Sequence, residues 1–348
     1  MWYRGLAVAA IAILVLVSGP WLSVTAAPAA GAGKADIVRP GEDPDDGVQG
    51  DYLSVNQKEP AGEAKIIGQG GNAYRMVFTP YGAANVDMSG KVENGQGTLT
   101  GPDGASAVLA GKTLTVTVGG KKYKLVYTHP QSTTQGLKPP AGAIVLLAYA
   151  PPTPPSLAEW ANNSWEALAD GSMVKGGGDI RTKRSLGDMQ LHLEFRCPYM
   201  ASARGQGRGN SGVYLMDRYE VQILDSFGNP SKDDECGGIY KVATPKVNAS
   251  FPPDVWQTYD IIFRAPRFDA QGKKVKNAAV TVVQNGLTIH ENVEIPGPTG
   301  GAVGGPEVRE APLRLQDHGN PVRFRNIWAL PLKAGQVPPA LKIPAAGK

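Results

Sequence analysis

The stretch Gly209-Asn-Ser-Gly-Val-Tyr-Leu-Met-Asp-Arg-Tyr-Glu-Val-Gln-Ile-Leu-Asp225 contains two alternating segments joined by a short polar turn. Alternation of apolar and polar side chains is typical of β-strands, because successive residues face opposite sides of a sheet. A two-residue turn at Asp217-Arg218 predicts a β-hairpin in which Leu215 pairs with Glu220. The polar side chains of the hairpin are then expected to share one face with part of its apolar residues.

This pairing predicts which hairpin residues are buried and which face a cleft. The expected core face carries Tyr214, Met216, Tyr219, Val221 and Ile223, and the expected opposite face carries Val213, Leu215, Glu220 and Gln222. A carboxylate and an amide among apolar residues in mid-strand are typical of a ligand-binding cleft. A face exposed to solvent is the alternative.

The rest of the chain also predicts short strands joined by turns. It has 44 Gly and 29 Pro among 348 residues, nearly twice the usual share of these two residues. Thr113–Val118 and Lys121–Tyr127 flank a Gly-Gly turn, and several further strand-turn-strand patterns follow from Trp165 onward. The sequence therefore predicts an all-β protein, with a two-sheet jelly roll in its C-terminal part.

Composition excludes several classes of protein. The 35 basic and 31 acidic residues are interspersed, so nucleic acid is not an implied partner. Cys197 and Cys236 are the two cysteines, which excludes a disulfide-rich scaffold and a zinc site built from four cysteines. A disulfide between them and two free, buried thiols are equally compatible with the sequence. The sequence does not indicate the oligomeric state.

The first 30 residues resemble a secretory signal peptide. Arg4 precedes an apolar run from Leu6 to Val17, and small residues follow through Ala30. The run is too short to span a bilayer comfortably, so we expect cleavage and no stable membrane span afterwards. The mature protein is expected in the periplasm or outside the cell.

Changes in composition along the chain predict its domain organisation. Prolines cluster between Lys138 and Pro155, where they would stiffen a connection. The predicted segments are a signal peptide (1–30), a flexible lead-in (31–50), a small β-rich domain (51–137), a Pro-rich linker (138–155), a jelly-roll domain (156–332) and a C-terminal tail (333–348).

Two further segments carry polar residues in strand-like alternation. Leu313 and Leu315 are expected in the core, which directs Arg314, Gln316 and then His318 to the other side. A turn histidine with a local hydrogen bond is the alternative for His318. In the segment 189–196, His192, Glu194 and Arg196 share a polar face, for which an exposed, salt-bridged surface is expected.

Several motifs in the C-terminal part resemble the 3-keto-disaccharide hydrolase family. They are Gly176–Thr182, Gly187–Arg196, Gly209–Tyr214, Tyr219–Ser226, Cys236–Tyr240, Trp256–Asp260 and Leu313–Asn320, in the order of the family. The resemblance covers residues 156–332 and implies a concanavalin A-like jelly roll. It also implies an enzyme that cleaves 3-keto-glycosides by C2 deprotonation, elimination and hydration.

The implied chemistry needs a base, an electrophile for an enolate oxygen and an acid for the leaving group. Glu220 and His318 are the candidates for base and acid, with their roles interchangeable. The candidates for binding the sugar are Asn210, Gln222, Arg314, Gln316, Asp317, Glu194 and Tyr240. A divalent metal could act as the electrophile through Glu220, Asp317 or His318, although the sequence does not require one.

Two other functions are compatible with the same cleft. Jelly-roll glucanases resemble Glu-x-Asp-x-x-Glu, whereas this chain has Glu220, Gln222 and Asp225 at those positions. The missing central carboxylate disfavours ordinary retaining hydrolysis, which uses two carboxylates. A non-catalytic, lectin-like protein that binds polysaccharide is the alternative from a different class.

Overall fold

A computed structural model of the chain describes residues 47–55, 60–161, 164–333 and 336. The predicted signal peptide, most of the predicted lead-in and most of the predicted tail lie outside these residues. Within the described ranges, regular structure consists of β-strands and two short 3₁₀ turns, Pro102–Gly104 and Gly205–Gly207. No helix in those ranges is long and apolar enough to cross a membrane.

The N-terminal strands form a closed, eight-stranded antiparallel barrel, because β1 pairs with both β2 and β8. Its strands are β1 (Gly50–Ser54), β2 (Gly62–Gly70), β3 (Ala73–Pro80), β4 (Val86–Glu93), β5 (Gln96–Thr100), β6 (Ser106–Ala110), β7 (Thr113–Val118) and β8 (Lys121–Thr128). The predicted hairpin is confirmed, since Val118 pairs with Lys121 across Gly119-Gly120, two glycines with positive φ. The barrel encloses its own apolar core.

The remaining strands build a two-sheet sandwich and a small two-stranded sheet. They are β9 (Ile144–Leu147), β10 (Trp160–Ala161), β11 (Glu166–Ala167), β12 (Met173–Val174), β13 (Ile180–Leu186), β14 (Met189–Arg196), β15 (Ser211–Leu215), β16 (Tyr219–Ile223), β17 (Gln257–Arg264), β18 (Arg267–Phe268), β19 (Lys274–Lys276), β20 (Ala278–Gln284), β21 (Leu287–Ile295), β22 (Ala311–Leu315) and β23 (Arg323–Pro331). This architecture confirms the predicted all-β fold.

The two large sheets differ in size and in the strands that they hold. The smaller sheet has the order β10-β13-β22-β15-β16, and the larger one has the order β11-β12-β23-β14-β17-β20-β21, with β9 paired to β23. A continuous apolar core fills the space between them. Cys197 and Cys236 are free and buried in that core. The predicted domain boundaries stay predictions, although β9 lies within the segment expected to be a linker.

The register of the β15–β16 hairpin differs from the predicted one. Leu215 pairs with Tyr219, and Tyr214 pairs with Glu220, because the turn contains three residues rather than two. Met216 and Asp217 both have positive φ in that turn. The expected faces were therefore wrong for β15, where Val213 and Leu215 lie in the core and Tyr214 lies beside Glu220. For β16 the core residues are the predicted ones, Tyr219, Val221 and Ile223.

Candidate active site

The polar face of the smaller sheet, which we call the cleft because it is the proposed ligand site, carries a buried carboxylate. Glu220 on β16 lies opposite Tyr214 on β15, with Gln222 two residues further along the same face. Arg314 on β22 pairs with Tyr214, so it extends this face to a third strand. The structure therefore brings Glu220, Gln222 and Arg314 together, as the sequence predicted, and adds Tyr214.

A missing side chain makes room for the Glu220 carboxylate. Gly212 lies directly opposite Gln222, and a Cβ atom at Gly212 would be 2.3 Å from Oε1 of Glu220. No protein tolerates a carbon–oxygen contact of that length, so a side chain here would displace the carboxylate. The glycine in the hairpin motif thus leaves the space that the carboxylate occupies.

Glu220 has the electrostatic properties of a general base that works near neutral pH. The residue is only 2% exposed, and burial raises the pKa of its carboxyl from 4.5 to about 7. A hydrogen bond from Tyr214 and the positive charge of Arg314 oppose this effect and lower the pKa. A carboxyl with such a pKa exchanges a proton readily at physiological pH.

The guanidinium nitrogens of Arg314 bind other protein groups, so Arg314 does not present free donors to a ligand. Its guanidinium lies 3.7 Å from the centre of the Tyr214 ring and pairs with Asp217 at 2.6 Å. Nη1 donates a hydrogen bond to Asp179 at 2.8 Å, and Nη2 donates to the carbonyl of Gly301 at 2.7 Å. Arg314 therefore holds the Tyr214 ring and contributes positive charge.

A glycine-rich loop, residues 299–306, covers this polar face. The Tyr214 hydroxyl donates to the carbonyl of Gly300 at 3.0 Å, and the main-chain amide of Glu220 donates to Oγ1 of Thr299 at 2.9 Å. Gly301 has φ of 72°, and a Cβ atom there would be 2.6 Å from the Tyr214 hydroxyl. Only glycine allows the loop to approach the tyrosine so closely.

Two buried amide side chains near Glu220 have unpaired oxygens. Gln206 donates from Nε2 to the carbonyl of Asp234 at 2.8 Å, which leaves its Oε1 as an acceptor. That oxygen accepts hydrogen bonds from Nδ2 of Asn210 at 3.0 Å and from Nε2 of Gln222 at 3.2 Å. Both amide nitrogens are then used, and the buried oxygens of Asn210 and Gln222 have no hydrogen-bond partner among the described residues.

Gln316 adds a third such oxygen at the end of β22. Its Nε2 lies 3.4 Å from the Tyr214 hydroxyl, while its buried Oε1 is also without a partner in the described part of the chain. An unpaired buried acceptor is costly, so each oxygen is suited to a ligand that donates a hydrogen bond. Sugar hydroxyls are donors of this kind.

His318 follows the end of β22 by three residues and is exposed. Hydrogen bonds to β15 and to the residue before it hold the chain at Gln316 and at Asn320, on the two sides of His318. The amide of Gln316 donates to the carbonyl of Gly212 at 3.0 Å, and the amide of Asn210 donates to Oδ1 of Asn320 at 2.7 Å. The structure thus places His318 beside the cleft but does not bury it with Glu220.

Tyr240 forms part of the cleft wall on the other side of Glu220. Its main-chain amide donates to the carbonyl of Glu220 at 3.3 Å, and its half-buried ring lies against the backbone of Gly300.

The residues proposed for a divalent metal do not form a cluster. Within the described ranges, no group of three or more His, Cys, Asp or Glu side chains is arranged to hold a metal ion. The carboxylate of Asp317 accepts a hydrogen bond from the amide of Gly178 at 2.9 Å and pairs with Lys175 at 3.3 Å. Asp317 therefore anchors the neighbouring loop.

Glu194 lies in the larger sheet and not in the cleft. It is fully buried, as is His192, so the expectation of an exposed, salt-bridged face was wrong for both residues. Its carboxylate accepts from Arg325 at 2.7 Å, from Asn326 at 2.9 Å and from the amide of Gly136 at 2.6 Å. Burial alone would raise the pKa of Glu194, but its hydrogen bond with His192 and the charge of Arg325 lower it to about 2.

Comparisons with known proteins agree with the motifs of this cleft. Residues 155–330 match the family described as 3-keto-alpha-glucoside-1,2-lyase-like domain. A search of curated proteins finds no match.

Two crystal structures, each described as a "putative glycosyl hydrolase" from Parabacteroides distasonis ATCC 8503, are similar to the chain. The first is 37% identical, covers 56% of this chain and 85% of its own, and has a TM-score of 0.49. The second is 19% identical in sequence. The match covers 55% of this chain and 94% of the second structure's chain, with a TM-score of 0.40.

The family match spans half of the chain and includes every strand of the cleft. It identifies this part of the protein as a carbohydrate-active domain. The chain therefore belongs to the 3-keto-alpha-glucoside-1,2-lyase-like domain family.

Proposed function

We propose that this protein cleaves the glycosidic bond of 3-keto-glycosides or 3-keto-disaccharides by removing the proton on C2 of the oxidised sugar. The observation that carries the proposal is Glu220, a buried carboxylate with a pKa of about 7. A single base of this kind suits proton abstraction next to a ketone, whereas retaining hydrolysis of an ordinary glycoside uses two carboxylates. The amide Gln222 stands where a second carboxylate would be expected.

The reaction balances without a redox partner. The C2 proton moves to Glu220, and the C–H electron pair forms a C2–C3 double bond while the C3 oxygen becomes an enolate. When the ketone re-forms, a C1–C2 double bond forms and the bond from C1 to the departing oxygen breaks. That oxygen gains a proton, water adds to C1, and C2 regains a proton, so the net reaction is hydrolysis.

The surrounding residues supply donors and acceptors for these steps. Burial, together with the charge of Glu220, raises the pKa of Tyr214, so its hydroxyl stays protonated. In this proposal its one proton turns from the Gly300 carbonyl to an enolate oxygen of the bound substrate. The unpaired oxygens of Asn210, Gln222 and Gln316 accept hydrogen bonds from sugar hydroxyls. In this proposal His318, which is exposed, protonates the departing oxygen.

Activity on an oxidised and an unoxidised disaccharide tests the proposal. Purified protein is incubated with a 3-keto-disaccharide and with its parent disaccharide, and the released monosaccharides are measured. We expect cleavage of the keto compound alone. Glu220→Gln should lose at least about 10²-fold in kcat, in line with the loss of a general base, and His318→Ala should lose less.

A surface carboxylate provides the matched control. Glu291→Gln removes one negative charge from a residue whose side chain is 72% exposed, and its activity should equal that of the wild type. No turnover of any keto-sugar, with retained binding to a glycan array, would instead identify a lectin-like protein. Cleavage of the parent disaccharide at the same rate would refute the requirement for the ketone.

We also propose that the protein is exported to the periplasm or the cell exterior. The support is the signal-peptide pattern of residues 1–30. N-terminal sequencing of protein recovered from the periplasm and medium should give a mature chain that starts near Ala26–Ala30. A chain that keeps its first 25 residues and stays in the cytoplasm would contradict export.

A further inference from the structure

The barrel touches the sandwich at the end of β2, next to the loop that precedes β15. The carbonyl of Gly68 accepts a hydrogen bond from Nη1 of Arg208 at 3.0 Å. The carbonyl of Gln69 accepts one from Nη2 of Arg204 at 2.9 Å. Gly68 also lies against Tyr199, since a Cβ atom at this glycine would be 2.3 Å from the tyrosine hydroxyl.

The same loop reaches the cleft through one side chain. Gln206 lies between the two arginines in sequence, and its Oε1 accepts hydrogen bonds from both Asn210 and Gln222. Arg208 is buried and also pairs, at 2.6 Å, with Asp225, which lies two residues after the end of β16. The loop therefore connects two regions: its arginines bind the barrel backbone, and its Gln206 binds the amides of the cleft.

Contacts within the sandwich hold the loop at Gln206, which donates to the carbonyl of Asp234, and at Arg208, which pairs with Asp225, whereas its exposed part has fewer restraints. Gly205, Gly207 and Gly209 alternate with the residues that make these contacts, and glycine gives a chain more conformational freedom than any other residue. Arg204, Gly205 and Gly207 are exposed, so few apolar contacts restrict this part of the loop. The hydrogen bonds to the barrel supply an external restraint.

We propose that the barrel positions the cleft, with Arg204 and Arg208 as positioning residues that hold Gln206 and, through it, the amides of Asn210 and Gln222. This inference rests on the proposed function, because it gives those amides the task of binding sugar hydroxyls. It assigns a role to the N-terminal barrel, in whose sequence we identified no cluster of candidate catalytic or binding residues.

A double-mutant design tests the coupling without removing any group from the cleft. Gly68→Ala adds a methyl group that collides with the Tyr199 hydroxyl and separates the barrel from the loop. Tyr199→Phe removes that hydroxyl and leaves the ring carbons 3.1 and 3.2 Å from the added methyl group, so the double variant should relieve most of the clash and restore the contact. Val108→Ala changes an exposed barrel residue elsewhere and serves as the matched control. Arg204→Ala removes one barrel contact with no loss of core.

Two readouts separate positioning from loss of structure. Hydrogen exchange of residues 201–209 should be faster in Gly68→Ala and Arg204→Ala than in the wild type, and normal in the double variant. The KM for a 3-keto-disaccharide should rise roughly tenfold in Gly68→Ala while kcat changes little, because the amides bind ground state and transition state alike. General unfolding would instead lower kcat in proportion to the folded fraction and leave KM unchanged.

The two proposals fail in different ways. If the wild type turns over no keto-sugar, the proposed function fails, and the exchange data alone still test the coupling. If the wild type is active but Gly68→Ala and Arg204→Ala change neither loop exchange nor KM, the positioning role is refuted. Equal effects of Gly68→Ala and Val108→Ala would also refute it.

Discussion

Replacing Glu220 by Gln should make the protein more stable at alkaline pH while it abolishes turnover. The substitution keeps the shape of the side chain and removes its ionisation. In the folded protein, burial raises the pKa of this carboxyl from 4.5 to about 7, so ionising it within the cleft costs free energy. The glutamine variant avoids that cost.

The size of the effect follows from the pKa shift. Each pKa unit corresponds to about 1.4 kcal/mol, so the shift of Glu220 corresponds to about 3 kcal/mol. Below pH 4.5 the carboxyl is protonated in both the folded and the unfolded chain, and it costs nothing. As the pH rises from 4.5 to 7 the unfolded chain ionises first, so the free energy of unfolding falls, and the full cost is present above pH 7.

Urea unfolding at pH 4 and pH 8 measures this difference. The free energy of unfolding of Glu220→Gln, minus that of the wild type, should be about 3 kcal/mol larger at pH 8 than at pH 4. Glu291→Gln, which removes an exposed carboxylate, corrects for the change in net charge. A difference that stays constant with pH, or falls as the pH rises, would refute the description of Glu220 as a buried acid with a raised pKa.

The remaining predictions concern the residues around Glu220 and the second buried carboxylate. Tyr214→Phe removes a hydrogen bond that lowers the pKa of Glu220, so the acid limb of kcat/KM against pH should move above pH 7; an unchanged limb would contradict this contact. Gly212→Ala should lower kcat roughly 10²-fold by displacing the carboxylate. Gly297→Ala, where nothing lies within 4 Å, should not, and equal losses in the two variants would contradict the steric explanation. Glu194→Ala should cost about 3–5 kcal/mol of stability near neutral pH, because it leaves Arg325 buried without its partner. The stability that Glu194 contributes is present above pH 4.5 and lost as the pH falls toward 2, which acid unfolding of both proteins checks.

The fold and the central carboxylate could be predicted from the sequence because local patterns determine them. The Gly-Gly turn after Val118 and the alternation around Glu220 reflect backbone rules that act over a few residues. The register of the β15–β16 hairpin could not be predicted in this way. One extra residue in the turn moves Tyr214 to the polar face, and the positive φ of Met216 that accompanies it has no sequence signal.

The contacts that residues distant in sequence make in the site could not be predicted from the sequence either. Gln206 orients Asn210 and Gln222 from a neighbouring loop, and Thr299 contacts the backbone of Glu220 from a segment 79 residues away. The alternation around Glu194 has the same form as that around Glu220. Glu194, however, lies in the other sheet, where the amide of Gly136 binds its carboxylate. No local sequence pattern distinguishes the surroundings of Glu194 from those of Glu220.

Deuterium incorporation at C2 of the released sugar tests the central claim most directly. The wild type is incubated with a 3-keto-disaccharide in D₂O, the reaction is stopped early, and the released 3-keto-sugar is examined by NMR. Free 3-keto-sugar in the same solvent corrects for spontaneous exchange next to the ketone. Removal of the C2 proton by Glu220, followed by elimination and hydration, predicts deuterium at C2 at the rate of cleavage. Cleavage that leaves the original hydrogen on C2, at equal rates for substrates that carry hydrogen or deuterium at C2, would contradict the mechanism, because it excludes both exchange and breakage of the C2–H bond.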